Sequence, residues 1–176
     1  MRNLHLDTLR LFDSARRPLS EGKLKGASAE ELDSLELRLG WRLPIGLRSW
    51  LSAVNGSLAG PGGFYGVKQS RKVLEIEDIL ARYSDWKAMR WLPIGGDGCG
   101  NHYVVSCSGA YGLTEAVMYI DTIVSTLKPA YFCASDAWRF ADGILSIEVL
   151  GKRWPWDHEF LAELDPMLLS SPVAPT

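Results

Sequence analysis

The sequence predicts an α+β fold in which helices pack at one side and both ends of a curved antiparallel sheet of about four to six strands. Three observations lead to this class. Helical spacing dominates the first half of the 176-residue chain, short β-like runs follow from Trp91, and helical spacing returns after Ser135. Strands at such short spacing pair as an antiparallel meander, and the flanking helices cover it.

Two helix starts carry clear signals. Ser28 and Glu31 form an S-x-x-E capping box at the start of "SAEELDSLELRLG". Pro44 then occupies a first helical turn, where its missing N–H costs nothing, and Asn55-Gly56 can turn left-handed and end that helix. The remaining helices are expected near the N-terminus, over "VLEIEDILARYSDW", after a cap at Ser135, and after Asp157.

The expected strands are short and lie close together in the chain. Glycine- or serine-containing turns separate most of them, which favours hairpin connections. They are predicted at Phe64–Val67, Trp91–Ile94, His102–Ser106, Ala116–Asp121 and Ala130–Cys133.

The chain is expected to form one domain over residues 27–150. Residues 1–26 form an N-terminal extension with a short helix and a polar linker, and residues 151–176 form a C-terminal extension with a short helix and a frayed tail. The N-terminus lacks the unbroken apolar core of a signal peptide, and no apolar run reaches transmembrane length. We therefore expect a cytoplasmic protein.

Composition argues against several classes of partner and site. With 19 Lys and Arg against 21 Asp and Glu, the net charge of −2 gives no electrostatic case for a nucleic acid or a membrane surface. The three cysteines show no C-x-x-C spacing, so neither a disulfide framework nor a cysteine zinc site is expected. His5, His102 and His158 lie far apart and show no spacing typical of metal ligands.

The run Gly95–Gly100, "GGDGCG", is the most conspicuous motif. A phosphate loop of the Walker type would need a lysine and a hydroxyl residue after the last glycine, but Asn101 and His102 follow. A dinucleotide loop would open a helix, whereas "HYVVS" is strand-like, and a calcium loop would need carboxylates besides Asp97. The run therefore predicts a hairpin turn with residues at positive φ, in which Asp97 accepts hydrogen bonds from nearby backbone amides.

Two further groups of residues leave alternatives open. Asp97, His102 and Cys107 could serve a small hydrolase or ligand-binding protein, but only if they converge in one cleft. Trp154 and Trp156 lie in an irregular stretch with no periodic reason to be buried. They either lock the C-terminal segment onto the domain or contact a partner.

The order of the motifs resembles the SUKH superfamily, the Smi/Knr type of immunity-protein domain. The resemblance runs from about Ala27 to Leu145 through "ASAEELDSLELRLGWRLPIGLRSWLSAVNG", "LPIGGDGCGNHYVV", "MYIDTI" and "CASDAWRFADGIL". Asn101 departs from it, since an acidic residue is common there. The positions that carry over, all interpreted as fold-determining, are Leu43, Pro44, Asn55, Gly56, Gly96, Asp97, Gly98, Gly100 and Asp121.

The resemblance implies an α+β fold and a non-catalytic binding role without cofactor or metal. A bacterial member would neutralise a cognate toxin, such as a nuclease, by direct binding, and we expect a monomer or weak homodimer. A regulatory scaffold of the eukaryotic Smi/Knr type is the alternative. The acidic C-terminal helix would suit a basic nuclease, and Phe64 and Tyr65 are expected to be exposed beside a glycine-rich loop. The candidate contacts are Phe64, Tyr65, Trp154, Trp156, Asp157, Glu159 and Glu163.

Overall fold

A computed structural model describes residues 3–17 and 21–174. Residues 18–20 of the predicted linker and residues 175–176 of the predicted tail lie outside the described residues. The elements in chain order are α1 Leu4–Ser14, α2 Ala29–Leu39, α3 Ile45–Ala53, a 3₁₀ turn Lys72–Leu74, α4 Ile76–Arg82, α5 Ser84–Ala88, β1 Trp91–Gly96, β2 His102–Ser106, β3 Val117–Ile120, β4 Tyr131–Ala134, α6 Ala137–Leu150, α7 His158–Leu164 and α8 Pro166–Leu169.

The four strands form an antiparallel meander in the order β1-β2-β3-β4. Tyr103 pairs with Tyr119, and Tyr119 pairs with Tyr131, so three tyrosines lie side by side across the sheet. The ladder shifts register once between β1 and β2 and once between β3 and β4. The α+β class is confirmed, with a sheet at the lower end of the expected strand number.

The segment predicted as a strand at Phe64–Val67 forms only isolated bridges. Tyr65 donates its backbone N–H to Ile94 at 2.9 Å, and Gly96 donates to Gly63 at 3.0 Å. The segment therefore covers the outer edge of β1 without becoming a regular strand. Gly66 within it and Gly60, Gly62 and Gly63 just before it explain the difference, because glycine weakens a strand and favours turns.

The helix signals are confirmed at Ser28 and corrected elsewhere. Ser28 forms both hydrogen bonds of the capping box with Glu31. Pro44, expected within the first turn of α3, is its N-cap, and the helix ends at Ala53 with an extended Val54, before the predicted stop at Asn55-Gly56. The cap of α6 is Asp136 and not Ser135, because the Asp136 carboxylate accepts the backbone N–H of Arg139. The helix expected over residues 73–86 is split into α4 and α5, and α8 was not predicted.

Helices contact both faces of the sheet. The ring of Tyr103 lies 4.8 Å from that of Phe140 in α6. The preceding residue, His102, points to the opposite face because side chains alternate along a strand. Its ring lies 5.2 Å from Tyr83 and 5.6 Å from Trp86, at the junction of α4 and α5. The sequence had placed the helices at one side and at both ends.

Both chain extensions contribute to the core. Phe12 of α1 is fully buried, and its ring lies 5.8 Å from Trp50 and 4.9 Å from Phe64. At the other end of the chain, Trp154 is buried against Gly143 in the middle of α6. These side chains fill space that the central elements would otherwise leave open to water.

Candidate functional site

The glycine run is a tight turn built around Asp97. One carboxylate oxygen, Oδ1, accepts the backbone N–H groups of Cys99 at 2.7 Å and Asn101 at 3.1 Å. Gly98 and Gly100 have φ angles of 80° and 101°, a region that other residues enter only with strain. The prediction of a hairpin turn with positive φ and an aspartate acceptor is confirmed.

The second carboxylate oxygen of Asp97 ties the turn to the neighbouring strand. It accepts the side-chain amide of Asn101 and the hydroxyl of Tyr119, both at 2.8 Å. Partial burial pushes the pKa of Asp97 upward, but hydrogen bonds from Asn101, Cys99 and Tyr119 outweigh it, and the pKa lies below its usual value. The carboxylate is therefore held charged as a hydrogen-bond acceptor.

Asn101 connects this turn to the loop between β3 and β4. Its side-chain oxygen accepts the backbone N–H of Thr122 at 3.0 Å, while its amide nitrogen donates to Asp97 and Tyr119. An acidic residue at position 101 could accept from Thr122, but it could not donate to Asp97. The local hydrogen bonds therefore explain why asparagine suits this position.

Asp121 organises the start of the β3–β4 loop. Its Oδ1 accepts the backbone N–H groups of Ile123 at 3.0 Å and Val124 at 3.2 Å. Asp97 and Asp121 thus make the same kind of bond, a carboxylate oxygen accepting two nearby backbone N–H groups, at adjacent turns on one end of the sheet.

The other positions that carry the family resemblance also make backbone or packing contacts. Leu43 is buried and donates its N–H to Glu36 at 3.0 Å. The Asn55 side chain accepts from the N–H of Val67 at 2.6 Å and donates to its carbonyl at 3.0 Å, and Gly56 has a φ of 81°. At Gly96, a Cβ atom would lie 2.5 Å from the Tyr65 hydroxyl.

The expectation that Phe64 and Tyr65 are exposed is wrong. Phe64 is buried between the rings of Phe12 and Phe140, at 4.9 and 5.8 Å. The Tyr65 hydroxyl is hydrogen-bonded to Nδ1 of His102 at 2.8 Å. Long-range packing, which the local sequence does not reveal, draws both rings inward. Phe64 packs against α1 and α6, and Tyr65 packs against His102 of β2, so both are removed from the candidate contacts.

The buried histidine of this pair is kept neutral. Burial lowers the pKa of His102 to about 4, and the charge of Arg82 acts in the same direction. Its ring fills space beside Tyr83 and Trp86. His102 is therefore a packed and hydrogen-bonded core residue at neutral pH.

Asp97, His102 and Cys107 do not converge. His102 begins β2 and Cys107 follows its last residue, so the two are about 16 Å apart along the strand. The carboxylate of Asp97 is directed to Asn101 and Tyr119, and burial raises the pKa of the Cys107 thiol. The interpretation of these three residues as one hydrolase or ligand site is overturned. Across the described residues, no three His, Cys, Asp or Glu side chains are grouped as metal ligands.

The two tryptophans of the C-terminal stretch have different environments. Trp154 is buried and locks the segment onto α6, so it is removed from the candidate contacts. Trp156 is 52% exposed, with its ring 5.0 Å from that of Tyr131. Asp157 caps α7 by accepting the N–H of Phe160 at 3.1 Å.

Three carboxylates remain near this exposed ring in the chain. Glu159 and Glu163 on α7 are exposed, and Asp157 is half-buried at its cap. Together with Trp156 they form the part of the predicted contact set that a partner could reach.

The sequence reasoning missed the most exposed apolar group of the β3–β4 loop. Ile123 is 89% exposed and Val124 is 80% exposed. A signal was present in "DTIVSTLKPA", where branched aliphatic residues follow the end of a β-like run and precede a proline. These residues lie beyond the predicted strand in a turn-like stretch, where exposed side chains are ordinary.

None of the helices within residues 3–17 and 21–174 has the length and apolar character needed to cross a lipid bilayer. No curated protein matches the chain. The sequence profile of the SMI1/KNR4 family (SUKH-1), a family that is generally non-catalytic, matches residues 26–148. Because this match covers more than half of the sequence and includes the Asp97 turn, the Asp121 loop and the capped helices α2 and α3, the chain belongs to the SMI1/KNR4 family (SUKH-1).

Proposed function

We propose that this protein is a non-catalytic immunity protein that binds a cognate toxin directly and blocks its active site or substrate surface. Its membership in the SMI1/KNR4 family (SUKH-1) is the observation that carries the proposal. The separation of Asp97, His102 and Cys107 supports it, because the polar groups that first suggested chemistry serve the fold instead. The protein would act in the cytoplasm as a monomer or weak homodimer, without a cofactor.

The candidate contact surface is the exposed part of the C-terminal extension. Trp156 presents an indole ring held beside Tyr131, and a fixed, partly exposed tryptophan is typical of interaction hot spots. Glu159 and Glu163 add exposed negative charge on the neighbouring helix. Such charges would accelerate association with a basic toxin such as a nuclease.

The test uses toxin domains encoded by neighbouring genes. Each would be purified and titrated with this protein by calorimetry, and co-expressed with it to measure protection of cell growth. We expect one toxin to bind and to be neutralised. Absence of binding and protection with all of them would overturn the proposal, and binding of a resident cellular protein in their place would favour the regulatory scaffold.

Variants of the contact surface sharpen this test. Trp156→Ala should weaken toxin binding by 10-fold or more, as expected for a hot-spot residue. Glu159→Gln with Glu163→Gln should slow association at low salt with little effect at high salt. The matched control is Asp13→Asn with Asp78→Asn, which removes two exposed carboxylates elsewhere and should leave the association rate unchanged.

A further inference from the structure

We propose that the β3–β4 loop, residues 121–128, is an apolar anchor that inserts into a preformed apolar cleft of the toxin. The inference rests on the proposed function and adds the chemistry of the contact. The loop is a surface separate from the acidic helix α7. It requires an apolar cleft in the partner, whereas α7 suits a basic surface.

The loop presents aliphatic side chains to water. Ile123, Val124 and Leu127 are 89%, 80% and 48% exposed. The stretch 122–127 contains no charged residue. Exposed single aliphatic residues are ordinary, but three within five positions form a patch of the kind that marks an interaction site.

The backbone of the loop is held in place on several sides. Asp121 accepts the N–H groups of Ile123 and Val124 through its side chain, and that of Ser125 through its carbonyl at 2.9 Å. From the β1–β2 turn, Asn101 accepts the N–H of Thr122 at 3.0 Å.

A further hydrogen bond holds the far side of the loop in place. The indole N–H of Trp86, a fully buried residue of α5, donates to the carbonyl of Thr126 at 2.7 Å. Leu127 donates its N–H to the Ser125 hydroxyl at 3.2 Å. A loop ordered in this way loses little conformational freedom on binding. The entropic cost of ordering it therefore offsets little of the free energy gained by burying its apolar side chains.

The charges around the loop argue for a protein partner. Asp121 and Lys128 are its first and last residues, Asp85 and Lys87 flank Trp86 in the chain, and Asp97 is bonded to the Asn101 side chain that accepts from Thr122, so three acidic and two basic residues surround it. A lipid surface or a nucleic acid would be recognised by an excess of cations, which this loop lacks. An apolar centre with a polar rim is the usual anatomy of a protein–protein interface.

A second copy of this chain offers the loop only a groove of mixed character. The groove of about 610 Å³ beside the end of α2 is lined by the charged residues Asp33, Glu36 and Arg42 together with Leu37, Gly40 and Trp41. An aliphatic loop inserted there would remove these charged groups from water without offering them hydrogen bonds. A toxin with an apolar cleft is the occupant that the loop chemistry favours.

The test compares two pairs of variants in titrations with the toxin domain that wild-type protein binds. Ile123→Ser with Val124→Ser removes the apolar tips but leaves the backbone hydrogen bonds, and should weaken binding by about 10- to 100-fold, mainly through faster dissociation. The conservative pair Ile123→Val with Val124→Ile should bind within about 3-fold of wild type. Val73→Ser, at a 71%-exposed aliphatic residue outside the loop, is the matched control and should bind like wild type. Urea unfolding of each variant establishes that the fold is intact.

The outcomes separate this inference from the proposed function. If wild-type protein binds no toxin, the proposed function fails and this inference fails with it. If wild-type protein binds and the serine pair binds within 2-fold, the anchor is refuted while the immunity function stands. Wild-type dimerisation in sedimentation experiments that the serine pair abolishes, or flotation with phosphatidylglycerol–phosphatidylethanolamine vesicles, would also overturn it, with a second copy or a lipid surface as the occupant.

Discussion

The carboxylate of Glu115 accepts the backbone N–H of Gly46 at 2.8 Å and thereby caps helix α3 from the loop between β2 and β3. The residue at the N-cap position itself is Pro44, which makes no side-chain hydrogen bond there. A helix N-terminus favours a negative charge, but burial raises the pKa of Glu115 above its usual value. The long-range cap therefore balances a good hydrogen bond against the cost of a buried charge.

Replacing Glu115 tests this balance through pH. Because its folded-state pKa is raised above 4.5, ionisation costs stability, and this cost grows as pH rises from 4.5 through the folded-state value. Wild type should therefore gain stability relative to Glu115→Gln as pH is lowered from 7.5 to 4.5. Urea unfolding of both proteins across this range measures the difference. Glu115→Ala should lose about 1–3 kcal/mol at every pH in the range, since the cap is removed. A pH-independent difference between wild type and Glu115→Gln would contradict the prediction.

The lowered pKa of His102 predicts the opposite pH dependence, a stability that falls as pH is lowered. The folded state disfavours its charged form, with a pKa of about 4 against 6.5 for an ordinary histidine. Stability should fall as pH drops from about 6.5 to about 4, by about 3 kcal/mol relative to His102→Gln. Parallel urea titrations of the two proteins provide the measurement, and His158→Gln, at an exposed histidine, is the control that should follow wild type. Equal pH profiles for wild type and His102→Gln would show that the imidazole titrates normally in the folded protein.

Asp97 should be the most sensitive residue of its turn. Asp97→Ala leaves the N–H groups of Cys99 and Asn101 and the Tyr119 hydroxyl without their acceptor. We expect a loss of about 2–4 kcal/mol in the free energy of unfolding. Cys99→Ser, an exposed change in the same turn, should stay within about 0.5 kcal/mol of wild type. Similar losses in both variants would point to general sensitivity of the turn and away from the carboxylate.

The close contact between Gly143 and Trp154 predicts that alanine is less stable than glycine at position 143, the reverse of ordinary helix propensity. Alanine normally stabilises a helix interior relative to glycine by about 1 kcal/mol, but a Cβ at Gly143 would overlap the Trp154 indole. Gly143→Ala should therefore destabilise by about 1–3 kcal/mol. In a Trp154→Ala background the same change should stabilise, and a double-mutant cycle by thermal unfolding measures the coupling. A destabilisation of equal size in both backgrounds would show that the Trp154 indole is not its cause.

Helix α1 should be as important to stability as the central elements. Phe12→Ala should cost about 3–5 kcal/mol, because the ring is fully buried against Trp50 and Phe64. Leu6→Ala, at a half-exposed position of the same helix, should cost less than about 1 kcal/mol. Chemical denaturation of the two variants checks the contrast. A small loss in Phe12→Ala would mean that α1 docks without supporting the core.

Local features were predictable from the sequence, and long-range packing was not. The residues of β2 are those predicted, and the Ser28 cap and the Asp97 turn follow from chemistry within a few positions. The burial of Phe64 and Tyr65 depends on partners more than 35 residues away, which local glycine content cannot reveal. Ser135 and Asp136 are equally plausible caps by residue type, and only the position of the Asp136 carboxylate, which accepts the N–H of Arg139, decides between them.

The candidate contact residues show the same contrast between local sequence signals and long-range packing. Trp154 and Trp156 are separated by one residue and share a side-chain type, yet only the first has a glycine opposite it that leaves room for an indole. The exposed aliphatic residues of the β3–β4 loop follow the end of the predicted strand Ala116–Asp121 and were assigned to no element.

The family profile matches a shorter part of the chain than the part that forms the core. The match spans residues 26–148, whereas Phe12 and Trp154 lie outside it and are buried inside the molecule. A chimera that carried only the matched segment into another protein would bring a core with two open sides. Exchange of this SMI1/KNR4 module between proteins would therefore have to include both ends of this chain, or replace them with side chains of similar volume.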